Sequence, residues 1–180
     1  MFFVATAPSE AGRINLSPKG YRDTFAVLDD HAVGYLDLFG SGVETIAHLR
    51  DNGRITLMFC SFTRNSRILR LSGTGRTVPP HDDEFPRLAA HFGDQHPGTR
   101  AVIVIDVERI ADSCGYAVPY YELVDERPVL DKALGKATDE NSPPSSIATS
   151  AASTDCRGWS PTTRYLDSPR EQSQKPLISA

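Results

Sequence analysis

A succession of short runs rich in β-branched and aromatic residues, each closed by a turn signal, constrains residues 1–136 more than any other feature of the chain. FFVATA and GRINLSPK, joined by a polar turn around PSEAG, read as a β-hairpin. FAVLD and VGYLDL follow, linked through Asp30-His31, and then RITLMFCSF and RILRLSGTGRTV. AVIVIDVERI is an almost unbroken apolar run, the pattern of a strand buried on both faces. Many short strands in series predict a barrel or a sandwich. Two helices interrupt them. In GSGVETIAHLRDNG, Ser41 and Glu44 have the spacing of a capping box, Val43, Ile46, Ala47 and Leu49 form an apolar face, and Gly53 is the stop. DDEFPRLAAHFG places Phe85, Leu88, Ala89 and Phe92 on one face, with Gly93 as terminator. The expected fold is therefore mainly β, an antiparallel barrel with small flanking helices.

Beyond Lys136 the character changes. Every Phe and Val of the chain precedes that point, and stretches such as NSPPSSIATSAASTD follow it. So few large apolar side chains cannot offset the entropy of ordering. We expect one domain at 1–136 and a disordered C-terminal tail at 137–180, dispensable for ligand binding.

Charge and cysteine usage narrow the classes of function. With 19 basic residues scattered among 180 and a formal charge of −4, no basic face for nucleic acid is expected. No run approaches the roughly 20 apolar residues that cross a bilayer. Cys60, Cys114 and Cys156 are widely and irregularly spaced, so neither a zinc site nor a disulfide framework is expected. A soluble, cytoplasmic protein without a metal follows from this reading.

Three segments could carry chemistry. In YLDLFGSGVET, Gly40 and Gly42 would let backbone approach a ligand, and a helix start offers unpaired N–H groups to a phosphate, with Ser41 and Thr45 as hydroxyl donors. Ser41 could equally serve only its own helix as a cap. GRINLSPKG puts Arg13, Asn15, Ser17 and Lys19 on one face of a strand. That face is either a polar ligand surface or a solvated edge, and Pro18 marks an edge or an end. In DSCGYAVP, Cys114 has no neighbouring His to activate it, and a buried inert thiol is favoured over a nucleophile. His48 reads as a partly exposed helix residue rather than a base.

The order and spacing of FFVATA, GRINLSPKG, YLDLFGSGVETIAHLRDNGRITLMF, RILRLSGTGR and SCGYAVP resemble the pyridoxamine 5'-phosphate oxidase-like, FMN-binding split-barrel family over most of 1–130. The resemblance implies an antiparallel split β-barrel that forms a homodimer with FMN at the interface. It implies FMN contacts at Asn15, Ser17, Lys19, Ser41, Gly42 and Thr45, with Ser113, Cys114 and Gly115 reaching from the other subunit. It implies an oxidoreductase acting on an unidentified small molecule, with a nicotinamide or reduced deazaflavin as electron donor. The alternative is a flavin- or haem-binding protein of the same fold without turnover. Glu44 and Thr45 stand where the oxidases proper carry an Arg-Lys pair, so the phosphate grip is expected to differ. The oxidases' C-terminal Trp and Arg substrate elements have no match, and neither has the helix that usually precedes the first strand. No catalytic residue is assigned.

Overall fold

The computed structural model describes residues 1–40, 42–93 and 96–132. The expected tail at 137–180 and its boundary lie outside the described residues, as does Ser41. Among the described residues, seven strands form one antiparallel sheet: β1 (Phe2–Thr6), β2 (Asn15–Lys19), β3 (Phe25–Val27), β4 (Ala32–Leu38), β5 (Arg54–Cys60), β6 (Arg67–Val78) and β7 (Thr99–Cys114). Helix α1 (Val43–Asn52) joins β4 to β5, and α2 (Phe85–Ala89) joins β6 to β7. The spatial order is β2-β1-β5-β6-β7-β4-β3. The mainly β, antiparallel architecture with small helices is the one the sequence predicts.

The sheet curls until side chains from its two ends touch across the interior. In a flat sheet β1 and β3 would lie roughly 24 Å apart, five spacings of about 4.8 Å. Instead the Phe2 ring on β1 sits 5.5 Å from Phe25 on β3 and 5.6 Å from Tyr35 on β4. These aromatic contacts close a main core that also holds Val4, Leu57, Ile103 and Ile105, capped by Ile46 and Leu49 of α1. The polar groups of β2 are thereby brought opposite the end of β4.

The run AVIVIDVERI is buried on both faces only in its first half. Ile103 and Ile105 enter the main core, whereas Val102 and Val104 pack with Leu36, Val78, Leu88 and Phe92 in a second core beneath α2. After Asp106 the strand turns largely to solvent, and Ile110 is exposed. Ser113 and Cys114 are the last residues of β7 rather than part of a bend, which begins at Gly115.

The first helix stops where the sequence predicts, and the second stops short of Gly93. Gly53 takes the left-handed conformation (φ 71°) and its N–H reaches the Leu49 carbonyl at 3.0 Å, as a helix-ending glycine does. At the other end the N-cap is Gly42, which has no side chain to cap with, and the expected Ser41–Glu44 capping box lies outside the described residues. The second helix is one short turn, because Pro86 occupies its first turn and the N–H groups of His91 and Phe92 bond i−3 carbonyls instead of continuing the α-ladder.

Candidate functional site

Strand β2 is inside out. Its apolar residues Ile14 and Leu16 flank or join an edge strand and are exposed, while Asn15, Ser17 and Lys19 turn inward. The alternation of polar groups therefore marks an interior face, and the solvated-edge reading fails. Arg13 is exposed and stands outside the group.

The inward groups divide into two clusters. Asn15 donates from Nδ2 to Thr45 Oγ1 at 2.8 Å and to Thr6 Oγ1 at 3.1 Å. Thr6 Oγ1 in turn lies 2.9 Å from His48 Nδ1. With Thr6 accepting from Asn15, its own hydrogen satisfies an unprotonated Nδ1. Thr6, Asn15 and Thr45 are all buried. This network ties β1, β2 and α1 together, and it makes His48 a half-buried structural partner rather than a surface residue.

The second cluster is charged. Asp37 on β4 is completely buried. Lys19 Nζ lies 3.3 Å from its Oδ1, and the Arg100 guanidinium grips Oδ2 through Nε at 2.8 Å and through NH2. Arg100 NH1 reaches the Gly40 carbonyl at 3.4 Å. A β-bulge places Arg100 here: Asp37 pairs with Ala101 but Leu38 pairs with Thr99, so Arg100 is the extra residue and its side chain swings across to Asp37. Two cations face one carboxylate, leaving one uncompensated positive charge. The cations lean on aromatic faces, Lys19 5.7 Å from the Tyr35 ring centroid and Arg100 5.7 Å from that of Phe39.

Gly42 sits directly against this cluster. A Cβ there would fall 2.7 Å from Lys19 Nζ and 2.9 Å from Asp37 Oδ1, so any larger residue would push the charged side chains away from the start of α1. The first N–H groups of the helix and its positive dipole end add to the surplus charge. Among the described residues, two buried hydroxyls in this region have no hydrogen-bond partner: Ser17 Oγ, between Asn15 and Lys19 on β2, and Tyr35 OH. Burial, with the Asp37 carboxylate close by, holds the Tyr35 phenol well above its ordinary range, so it is a neutral donor at any physiological pH.

Of the expected contacts, the structure thus places Asn15 and Thr45 in the first cluster and Lys19 and Gly42 at the second, with Ser17 between Asn15 and Lys19 on β2. It adds Asp37, Arg100, Tyr35, Thr6 and His48, which the motifs did not single out. Asp37 had a readable signal, an acid inside the apolar strand VGYLDL that must be either outward or paired. Arg100 had none, because its position depends on the bulge. Ser113, Cys114 and Gly115 lie elsewhere, because Arg100 is near the start of β7 whereas Ser113 and Cys114 are at its far end, paired with Ile68 and Arg67 of β6. Arg70 NH1 donates to Ser113 Oγ at 3.1 Å, and Cys114 is exposed rather than buried. Among the described residues no group of three or more His, Cys, Asp or Glu side chains could hold a metal ion, and no helix is long and apolar enough to cross a membrane.

Fold and site together define a curled antiparallel half-barrel with a positively charged cluster where the end of β2, the end of β4, the start of β7 and the Gly42 end of α1 come together. Residues 1–114 match the family model described as pyridoxamine 5'-phosphate oxidase. A relative from Aspergillus flavus, the pyridoxamine 5'-phosphate oxidase family protein ustO, is 46% identical over 125 residues, 68% of this chain. The match spans 50% of that relative's length. The chain belongs to the pyridoxamine 5'-phosphate oxidase family. Similar solved structures include HupZ of Group A Streptococcus (25% identity, TM-score 0.45, 61% of this chain and 81% of that one). Another is an FMN-binding protein from Syntrophomonas wolfei subsp. wolfei (12% identity, TM-score 0.45, 62% and 75%).

Proposed function

We propose that this protein binds FMN, with the phosphate seated against Lys19, Arg100, Ser17 and the Gly42 end of α1. The observation that carries the reading is the uncompensated positive charge of Lys19–Asp37–Arg100, packed against a glycine helix start with the unpartnered Ser17 hydroxyl nearby. A phosphate dianion would satisfy the spare donors of both cations and of Ser17. Asn15 and Thr45, already bonded to each other, would shape the recess rather than grip the ligand. Lys19 and Arg100 here stand in for the absent Arg-Lys pair. Family membership supports a flavin as the ligand, which would supply hydride or electron chemistry toward a small-molecule substrate, making the protein an oxidoreductase. The protein would bind, orient and exclude water.

Titration with FMN and with riboflavin tests this. Lys19→Met is expected to weaken FMN by about 10- to 150-fold, one charge-assisted contact of about 1.5–3 kcal/mol, and to leave riboflavin unchanged. Equal loss for both ligands, or none, would remove the phosphate from this recess. Ser17→Ala should also weaken FMN while leaving the melting temperature the same or slightly raised, because the deleted hydroxyl is unsatisfied in the free protein. A clear loss of stability would mean that the hydroxyl serves the fold.

The functional unit in this reading is a homodimer. Ser113, Cys114 and Gly115 are too far along β7 from Arg100 to meet Lys19 in one chain, but a second copy could present them. Ile110 and, beyond the strand, Tyr116, Tyr120 and Val124 are exposed apolar side chains that a second copy would cover. Light scattering is expected to give twice the chain mass; a monomer that binds FMN stoichiometrically would refute the dimer.

A further inference from the structure

Residues 116–132 carry few buried side chains, yet they are fixed along their length. The Tyr121 N–H bonds the Phe62 carbonyl at 3.1 Å, and the two rings lie 5.3 Å apart. Further on, the Arg22 N–H donates to Glu126 Oε1 at 3.1 Å and Tyr21 OH to the Arg127 carbonyl at 2.9 Å. Last comes His96, whose Nδ1 lies 2.9 Å from Asp131 Oδ2 and whose Nε2 lies 3.0 Å from Asp23 Oδ1. Its ring stacks on Tyr21 at 4.6 Å, and Tyr21 holds a left-handed backbone (φ 62°) that non-glycine residues seldom adopt. Most of the apolar side chains on this segment face solvent, including Tyr120, Leu123, Val124 and Val129. Polar contacts, not burial, therefore hold it down.

Both ring nitrogens of His96 face carboxylate oxygens. A neutral imidazole has one N–H and would turn a lone pair toward one of them, so only the imidazolium satisfies both. The anchoring residues also flank the recess. Tyr21 and Asp23 follow Lys19 by two and four positions, and His96 precedes Arg100 by four.

We propose that residues 121–132 form a strap clasped by His96 between Asp23 and Asp131, that loss of the His96 proton releases it, and that its release loosens the loop that follows Lys19 and the loop that precedes Arg100. The second half rests on the flavin reading; the clasp itself does not. The groups facing the imidazole are Asp23 and the Tyr21 ring from the β2–β3 loop and Asp131 from the strap, with Arg22, Asp125 and Glu126 around the same cavity of about 410 Å³. Burial alone would lower the His96 pKa, but the hydrogen bonds and charges of Asp23 and Asp131 outweigh it and raise it. A raised value in the folded state means the clasp is fully formed at low pH and is lost as pH rises through that value.

Hydrogen exchange of peptides covering 116–130, corrected for intrinsic rates, tests the clasp in the full chain without flavin. Between about pH 6 and about pH 8.5 protection should fall roughly tenfold, the worth of one charge-assisted hydrogen bond at a partly exposed site. His96→Gln should show low protection at both values. Unchanged protection in the parent chain, or a pH dependence surviving in His96→Gln, would overturn the clasp. Asp131→Asn, which spares the His96–Asp23 contact, should move the transition to lower pH and gives the same decision if His96→Gln does not fold. FMN dissociation should quicken over the same range in the parent chain and stay flat in His96→Gln; flat release in the parent would overturn the coupling to the recess. Absence of FMN binding would instead refute the flavin reading, with the exchange result still deciding the clasp.

Discussion

Gly73→Ala is expected to lower stability by about 3 kcal/mol, at the upper end for overpacking, and the melting temperature by roughly 10–15 °C. A Cβ at Gly73 would lie 2.9 Å from the Asp106 carbonyl carbon and 3.1 Å from Val107 Cα, and closer still to the Asp106 oxygen. Those are backbone atoms of the neighbouring strand, so no rotamer change relieves the clash; β6 and β7 would have to separate. Gly73 occupies this position because the β6–β7 register slips there: Ser72 pairs with Arg109 and Gly73 with Val107, leaving Glu108 as the extra residue. The pairing of these two long strands forms the back of the barrel, and its loss propagates to both cores. Gly20→Ala is the control, since a Cβ at Gly20 meets nothing within 4 Å; it should shift stability by less than about 0.5 kcal/mol. Thermal and urea unfolding followed by circular dichroism compare the two. Equal, small effects would mean that the bulge is soft enough to absorb a methyl group.

Strand identity was legible because it depends on local period and residue type. RILRLSGTGRTV coincides with β6, and the hairpin of β1 with β2 follows from two runs and a polar turn. Register irregularities were not legible. The two bulges, at Gly73 and at Arg100, arise from curling a long sheet until side chains from its two ends touch, and no window of residues encodes that closure. This is why the site was half read. Asn15, Ser17 and Lys19 share a face by simple alternation, whereas Arg100 joins them only through a bulge 81 positions from Lys19. Much of the apolar surface of AVIVIDVERI is covered within the chain by α2 and the second core. Its short helix DDEFPRLAAHFG hides that role, because only Leu88 of the helical turn itself is buried.

Arg100→Met should cost about 3 kcal/mol of stability and, of all single changes near the recess, perturb ligand binding most. Asp37 is wholly buried, and a buried carboxylate stripped of its main partner is penalised by about 3–5 kcal/mol. Lys19 remains 3.3 Å away, which keeps the expected cost at the lower end of that range. If the cost is the stranded charge rather than lost packing, removing the charge must return part of it. Asp37→Asn combined with Arg100→Met should therefore be more stable than the sum of the two single changes by about 1–3 kcal/mol. Urea unfolding of the four proteins closes this cycle, and simple additivity would show that the pair is not coupled. Binding separates the two roles of Arg100. Asp37 holds both cations in place before any ligand arrives, so ordering them costs nothing at the moment of binding. The double variant keeps a folded site whose one positive charge is Lys19, but it has lost one cation and the residue that aims the other. Its FMN affinity should remain low after its stability has recovered, while riboflavin binding recovers with the fold. Recovery of FMN affinity along with stability would assign Asp37 and Arg100 to the barrel alone and leave Lys19 as the phosphate's cation.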